Sequence, residues 1–236
     1  MSLVFLALSL TLHGAPRPDA PVQAYVSETC PAQEPETTDD GTPTTAGMRN
    51  AAGAQVDCLK KVMDRELDAF LVPLKEKDRA AFKTWMSLQA DFNRWNRAVC
   101  ELYERASGNA GSMAGFGELS CAEEVGAHRA WFAKLLAAGD LKPFWTVVDA
   151  LREQGQESAT GTAKMLAAAK AGGADDDAEN PLVGLEPKEL KAFEKKLAET
   201  NATLKKLAQG QCKALKDAPA GCEDKLVTYY RAVSRM

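Results

Sequence analysis

Six cysteines do most to limit what this chain can become. They stand at Cys30, Cys58, Cys100, Cys121, Cys212 and Cys222, an even set with no C-x-x-C pair among them. A zinc ribbon or a thioredoxin-type redox centre is therefore disfavoured, and in an oxidising compartment the set reads as three staples. Proximity in sequence pairs Cys30 with Cys58, Cys100 with Cys121 and Cys212 with Cys222. The first two would close loops of roughly 20 to 30 residues, each worth about 3 kcal/mol in the chain-entropy picture. The third encloses Pro219 and Gly221, residues suited to a tight turn between two helices.

The N-terminus speaks to compartment. Leu3 to Leu12 reads LVFLALSLTL, too short for a bilayer span of roughly 20 residues and suited to the apolar core of a secretory signal peptide. No Lys or Arg precedes it. Residues 1–24 are expected to be the leader, with Val22 and Ala24 as the small-x-small pair and a mature start near Tyr25; cleavage near Gly14 is the second option. Cys30 follows Ser27-Glu28-Thr29, which is no lipobox. A bacterial periplasmic or secreted protein is expected, without a transmembrane span.

Residues 25–50 have the composition of a flexible acidic arm, as in Pro35-Glu-Thr-Thr-Asp-Asp-Gly-Thr-Pro43. Residues 51–138 carry helical rhythm. Leu59, Val62, Met63, Leu67 and Phe70 recur at three and four until Pro73, which is expected to end or kink the helix. A second helix from about Asp78 to Arg105 presents Phe82, Trp85, Met86, Phe92, Trp95, Val99, Leu102 and Tyr103. A connector with Gly108, Gly111, Gly115 and Gly117 leads to a third helix with Cys121, Val125, Trp131 and Phe132. Residues 139–236 continue as helices around a Gly/Asp-rich break at 171–181, whose Asp175-Asp-Asp177 reads as a solvated turn. Leu190, Phe193, Leu197, Thr200, Leu204 and Leu207 form a short heptad seam, a hairpin partner or a self-association surface over 190–207. No run alternates with period two, so the expected fold is all-α: a small disulfide-stapled helical bundle, further helices, and a C-terminal helical hairpin.

Residues from about Gln55 to Leu136 resemble the lysozyme-inhibitor LprI-like N-terminal domain family of exported bacterial proteins. The resemblance rests on Cys58 followed by Leu67-Asp68, and on the run Gln89-Ala-Asp-Phe-Asn-Arg-Trp-Asn-Arg-Ala-Val-Cys100. Gly111-Ser112-Met113 and Cys121 with Arg129 complete it. Phe92 stands where the family usually has Trp, and Asn96 where it usually has Arg. The resemblance implies a helical, disulfide-stapled module at the cell surface or in the periplasm, and the family includes an inhibitor of host lysozyme. Gln89, Phe92, Trp95, Gly111, Ser112 and Arg129 are the motif residues, expected to act in structure or in partner contact. Gln89, Phe92 and Cys100 share a helical face. Arg129 is expected to pair or to cap loop carbonyls near the staple.

Function then divides three ways. An exported binding protein, such as an inhibitor of lysozyme or another cell-wall hydrolase, is the leading expectation. An envelope-maintenance protein assembling through its C-terminal helices is the alternative. An enzyme is not expected: there is no Ser-His-Asp order, Gly-rich phosphate loop or metal-ligand spacing, and Glu123-Glu124 diverge on a helix. No catalytic residue, cofactor or metal is assigned, and His128 has no Cys/His or Asp/His spacing that would make it catalytic. The net charge of −4 argues against a general nucleic-acid surface. An acidic surface would steer a cationic lysozyme. However, residues 25–55 hold five acids and one Arg, while 56–138 and 139–236 are each balanced, so the excess lies in the arm.

Overall fold

Eight α-helices and no strand make up the residues described by the computed structural model, 17–108, 111–172 and 180–236. The core of the expected leader (Leu3 to Leu12) and Asp175 to Asp177 lie outside them. In chain order the helices are α1 (Ala20–Thr29), α2 (Thr45–Lys77), α3 (Arg79–Ala106), α4 (Phe116–Ala138), α5 (Lys142–Ala150), α6 (Arg152–Lys170), α7 (Pro187–Ala214) and α8 (Cys222–Ser234). The all-α, disulfide-stapled bundle expected from the sequence is the observed architecture.

Local chemistry sets the helix limits. Thr44 accepts a hydrogen bond from the Gly47 amide at the start of α2, and the Asp78 carboxylate accepts from Ala80 and Ala81 at the start of α3. Glu186 and Glu189 form a reciprocal capping box around Pro187 at the start of α7. Gly139 ends α4 in the left-handed conformation, and the Asp140 amide donates to the Leu135 carbonyl behind it. Of the two outcomes expected at Pro73, termination does not occur; α2 runs on to Lys77. Placed one turn from the C-terminus, the ring removes one hydrogen bond and leaves only a short stretch beyond it.

The central element is α4. Its buried residues Val125, Ala127, His128, Ala130, Trp131 and Phe132 surround the helix rather than lining one stripe, as expected for a helix enclosed on all sides. It packs against α1, α2, α3 and α8. The core continues across residue 138: the Phe132 and Phe144 rings lie 4.5 Å apart, and Phe144 meets Tyr229 edge-on at 5.2 Å. Residues 51–138 and 139–236 therefore share one hydrophobic interior.

All three expected cysteine pairs are bonded, with Cα atoms 5.9, 5.3 and 5.9 Å apart for Cys30–Cys58, Cys100–Cys121 and Cys212–Cys222. The stretch expected as a flexible arm is more ordered than its composition suggests. Val22 and Tyr25 of α1 are buried, and Gln55 donates to the Cys30 carbonyl at 2.7 Å. A bridge joins Thr37 to Pro43, and the Gly47 backbone lies so close to Glu36 that a Cβ there would stand 2.5 Å from the Glu36 carbonyl oxygen. The Cys30–Cys58 bond and these contacts offset the entropy that its Pro, Thr and Glu would otherwise favour.

Two further expectations are corrected by packing. Met86 is not on the buried face of α3; it is 47% exposed. The 190–207 seam is not a free surface for self-association: Phe193, Thr200, Leu204 and Leu207 are buried, and α7 packs on α3 and α8 of its own chain. Lys196–Glu101 and Lys206–Asp91 ion pairs flank that packing.

Candidate functional site

The motif residues meet in the interior. Gln89 on α3 accepts from Arg129 on α4 through two bonds, Nε at 3.0 Å and Nη2 at 2.6 Å to one oxygen. The guanidinium carbon stands 4.6 Å from the Phe92 ring centre and 5.2 Å from that of Phe132, so two aromatic faces supply cation–π attraction. Arg129 is only 2% exposed, and its Nη1 has no hydrogen-bond partner. Burial pulls its pKa below the usual value. Arg129 thus caps no loop carbonyl and reaches no surface; it is a buried cation held by an amide and two rings. Trp95 lies 5.9 Å from Phe92 and 5.0 Å from Tyr230, whose hydroxyl exchanges hydrogen bonds with the buried Gln211.

Gly111 and Ser112 belong to a short 3₁₀ turn, Gly111–Met113, ahead of α4. The connector is tied by Glu104, whose carboxylate accepts from the Gly115 and Glu118 amides, and by Arg49, which donates to the Ala114 carbonyl. Gly115 takes φ +88°, the left-handed region that glycine enters without strain. Burial, then the neighbouring Glu124, raise the Glu123 carboxyl above its ordinary range.

The surface feature with binding character lies elsewhere, where α2, α4 and α7 end and α3 and α5 begin. A cleft of about 1030 Å³ opens there. Phe70, Trp85, Leu136 and Leu215 give it an apolar floor, with Leu141 and Trp145 as a half-buried wall. Phe70 and Trp85 meet edge-on at 5.3 Å, which fixes the floor. The size and apolar lining are those of a ligand or partner site.

Rim charges are divided in use. Asp78 caps α3, Asp140 accepts from the Lys142 amide at 3.0 Å, and Asp149 pairs with Lys225 at 2.5 Å. Lys77, Lys142, Lys216 and Asp217 complete the rim and are exposed. None of the motif residues lines this cleft. Its wall was not singled out from sequence, although Trp145 two residues after Pro143 was a visible signal.

Comparison with known proteins returns no match: no family model, curated protein or solved structure is significantly similar to this chain.

Proposed function

We propose that this is an exported, non-enzymatic binding protein that receives an apolar element of its partner in the cleft between α3, α5 and the end of α7. The cleft is the observation that carries this reading: it combines an apolar floor and an accessible tryptophan wall with rim carboxylates of which Asp78, Asp140 and Asp149 are engaged by backbone amides or Lys225. Three disulfides support folding in an oxidising compartment. No helix of the described residues is long and apolar enough to cross a membrane. In this reading the second option, a leader ending near Gly14, is favoured over 1–24, supported by the burial of Asp19, Val22 and Tyr25.

A cell-wall hydrolase such as lysozyme is the partner that the resemblance implies. One observation favours it. Glu28, Glu34, Glu36, Asp39 and Asp40 are all exposed on one segment held by the Cys30–Cys58 bond, an acidic surface that would accelerate encounter with a cationic enzyme. The test is lysis of cell-wall suspensions by a panel of lysozymes with the oxidised protein added in stoichiometric amount. Inhibition is expected, weakened by salt and by Glu34→Lys with Glu36→Lys through a slower association rate. No inhibition of any lysozyme at large molar excess would overturn the hydrolase reading.

The assembly alternative is less supported, since Phe193, Thr200, Leu204 and Leu207 of the seam are buried and α7 packs on α3 and α8 of its own chain.

A further inference from the structure

A second, smaller cavity, of about 180 Å³, lies away from the cleft, where α1 meets α4 and the end of α8. Three side chains converge on it: Asp19, which precedes α1, and Glu124 and His128, one turn apart on α4. One ligand atom from each lies within 4.8 Å of the other two. Asp19 is 4% exposed and His128 3%.

The histidine is held by one nitrogen and open at the other. His128 Nδ1 is hydrogen-bonded to the Tyr229 hydroxyl at 2.8 Å. Nε2 makes no hydrogen bond; Glu124 Oε1 lies 3.6 Å away, beyond hydrogen-bonding distance. An imidazole anchored through one ring nitrogen, with the other facing carboxylates, is how protein metal sites orient a ligating histidine. In the tautomer that carries its proton on Nδ1 and donates it to the Tyr229 oxygen, the Nε2 lone pair faces the two carboxylates.

We infer that Asp19, Glu124 and His128 form a three-ligand site for a divalent transition cation, with Zn²⁺ the ion best suited to one imidazole and two carboxylates. Zn²⁺ accepts both donor types and tolerates a fourth position filled by water. The cation-free chain balances the acids with arginine: Arg17 contacts Asp19 at 3.1 Å and Arg235 contacts Glu124 at 3.8 Å. Both arginine side chains are at least half exposed, at 66% and 50%, so each can withdraw into solvent. Gln23 Nε2 donates to Asp19 at 2.8 Å and keeps that carboxylate in place. Binding would pin α1 to α4 at a point far from the Cys30–Cys58 bond.

The experiment is equilibrium competition of the oxidised full-length chain for Zn²⁺ against a chromophoric chelator, with thermal unfolding recorded in parallel. One Zn²⁺ per chain at micromolar metal is expected, with a higher unfolding midpoint when metal is present. Glu124→Gln and His128→Gln should each weaken binding about tenfold or more. Arg235→Ala should tighten it by removing a competing cation. Glu124, at the surface of the helix, provides the variant that keeps the fold should His128→Gln unfold it. Failure to take up one equivalent, or uptake unchanged by Glu124→Gln, would overturn the assignment.

Discussion

Arg129 concentrates the physics of single residues in this protein. A guanidinium that is 2% exposed and faces no carboxylate depends on one amide oxygen and two aromatic faces. Desolvating a cation costs several kcal/mol, so the contacts that remain cannot be lost cheaply. Gln89→Leu should therefore destabilise the protein by about 3 kcal/mol in urea unfolding, because it removes the oxygen that accepts two hydrogen bonds from the guanidinium and leaves Tyr230 as its polar neighbour. Adding Arg129→Met should recover most of that loss, since an apolar side chain of similar length removes the stranded charge. A Gln89→Leu variant as stable as the parent would show that the pair contributes nothing. Helical spacing placed Gln89 and Phe92 on one face, and the motif singled out Arg129; only the fold reveals that the three touch. Glu124 and His128 were also within reach of sequence reasoning, four residues apart on one helix. Asp19 was not, because its partners lie more than a hundred residues further along the chain.

Between elements, close approach is the sharpest constraint. At Gly155 in α6 a Cβ would stand 2.1 Å from the Thr228 carbonyl oxygen of α8, a backbone atom that cannot swing aside. Gly155→Ala should push the two helices apart and cost about 1–3 kcal/mol, read as a lowered unfolding midpoint with secondary structure retained. A variant as stable as the parent would mean that α6 and α8 pack less tightly than described here. Elements with one apolar stripe, α3 and α7, were legible from sequence because their periodicity points to a single buried face. The centrality of α4 was not legible: a helix buried all round has no stripe to read. The order of α1 was hidden differently. Val22 and Ala24 have the size of a cleavage motif, and only tertiary packing shows Val22 fully buried. The staples were read correctly because each joins neighbours in sequence, which local proximity can predict.

Across the whole molecule, helices from both halves of the chain share one core, and the cleft forms where their ends leave it incompletely covered. That explains why the cleft was invisible in sequence: its floor combines Phe70, Trp85, Leu136 and Leu215, four segments that only the fold assembles. An apolar cleft open to solvent is an unusual feature for a protein surface to retain without use. The most direct measurement of its binding character is titration of the oxidised protein with the apolar fluorophore anilinonaphthalene sulfonate, following energy transfer from Trp85 and Trp145. Saturable binding of one probe per chain is expected, lost in Leu141→Glu while the helical circular dichroism is unchanged. Absence of saturable binding, or binding untouched by Leu141→Glu, would contradict the cleft as the protein's binding site.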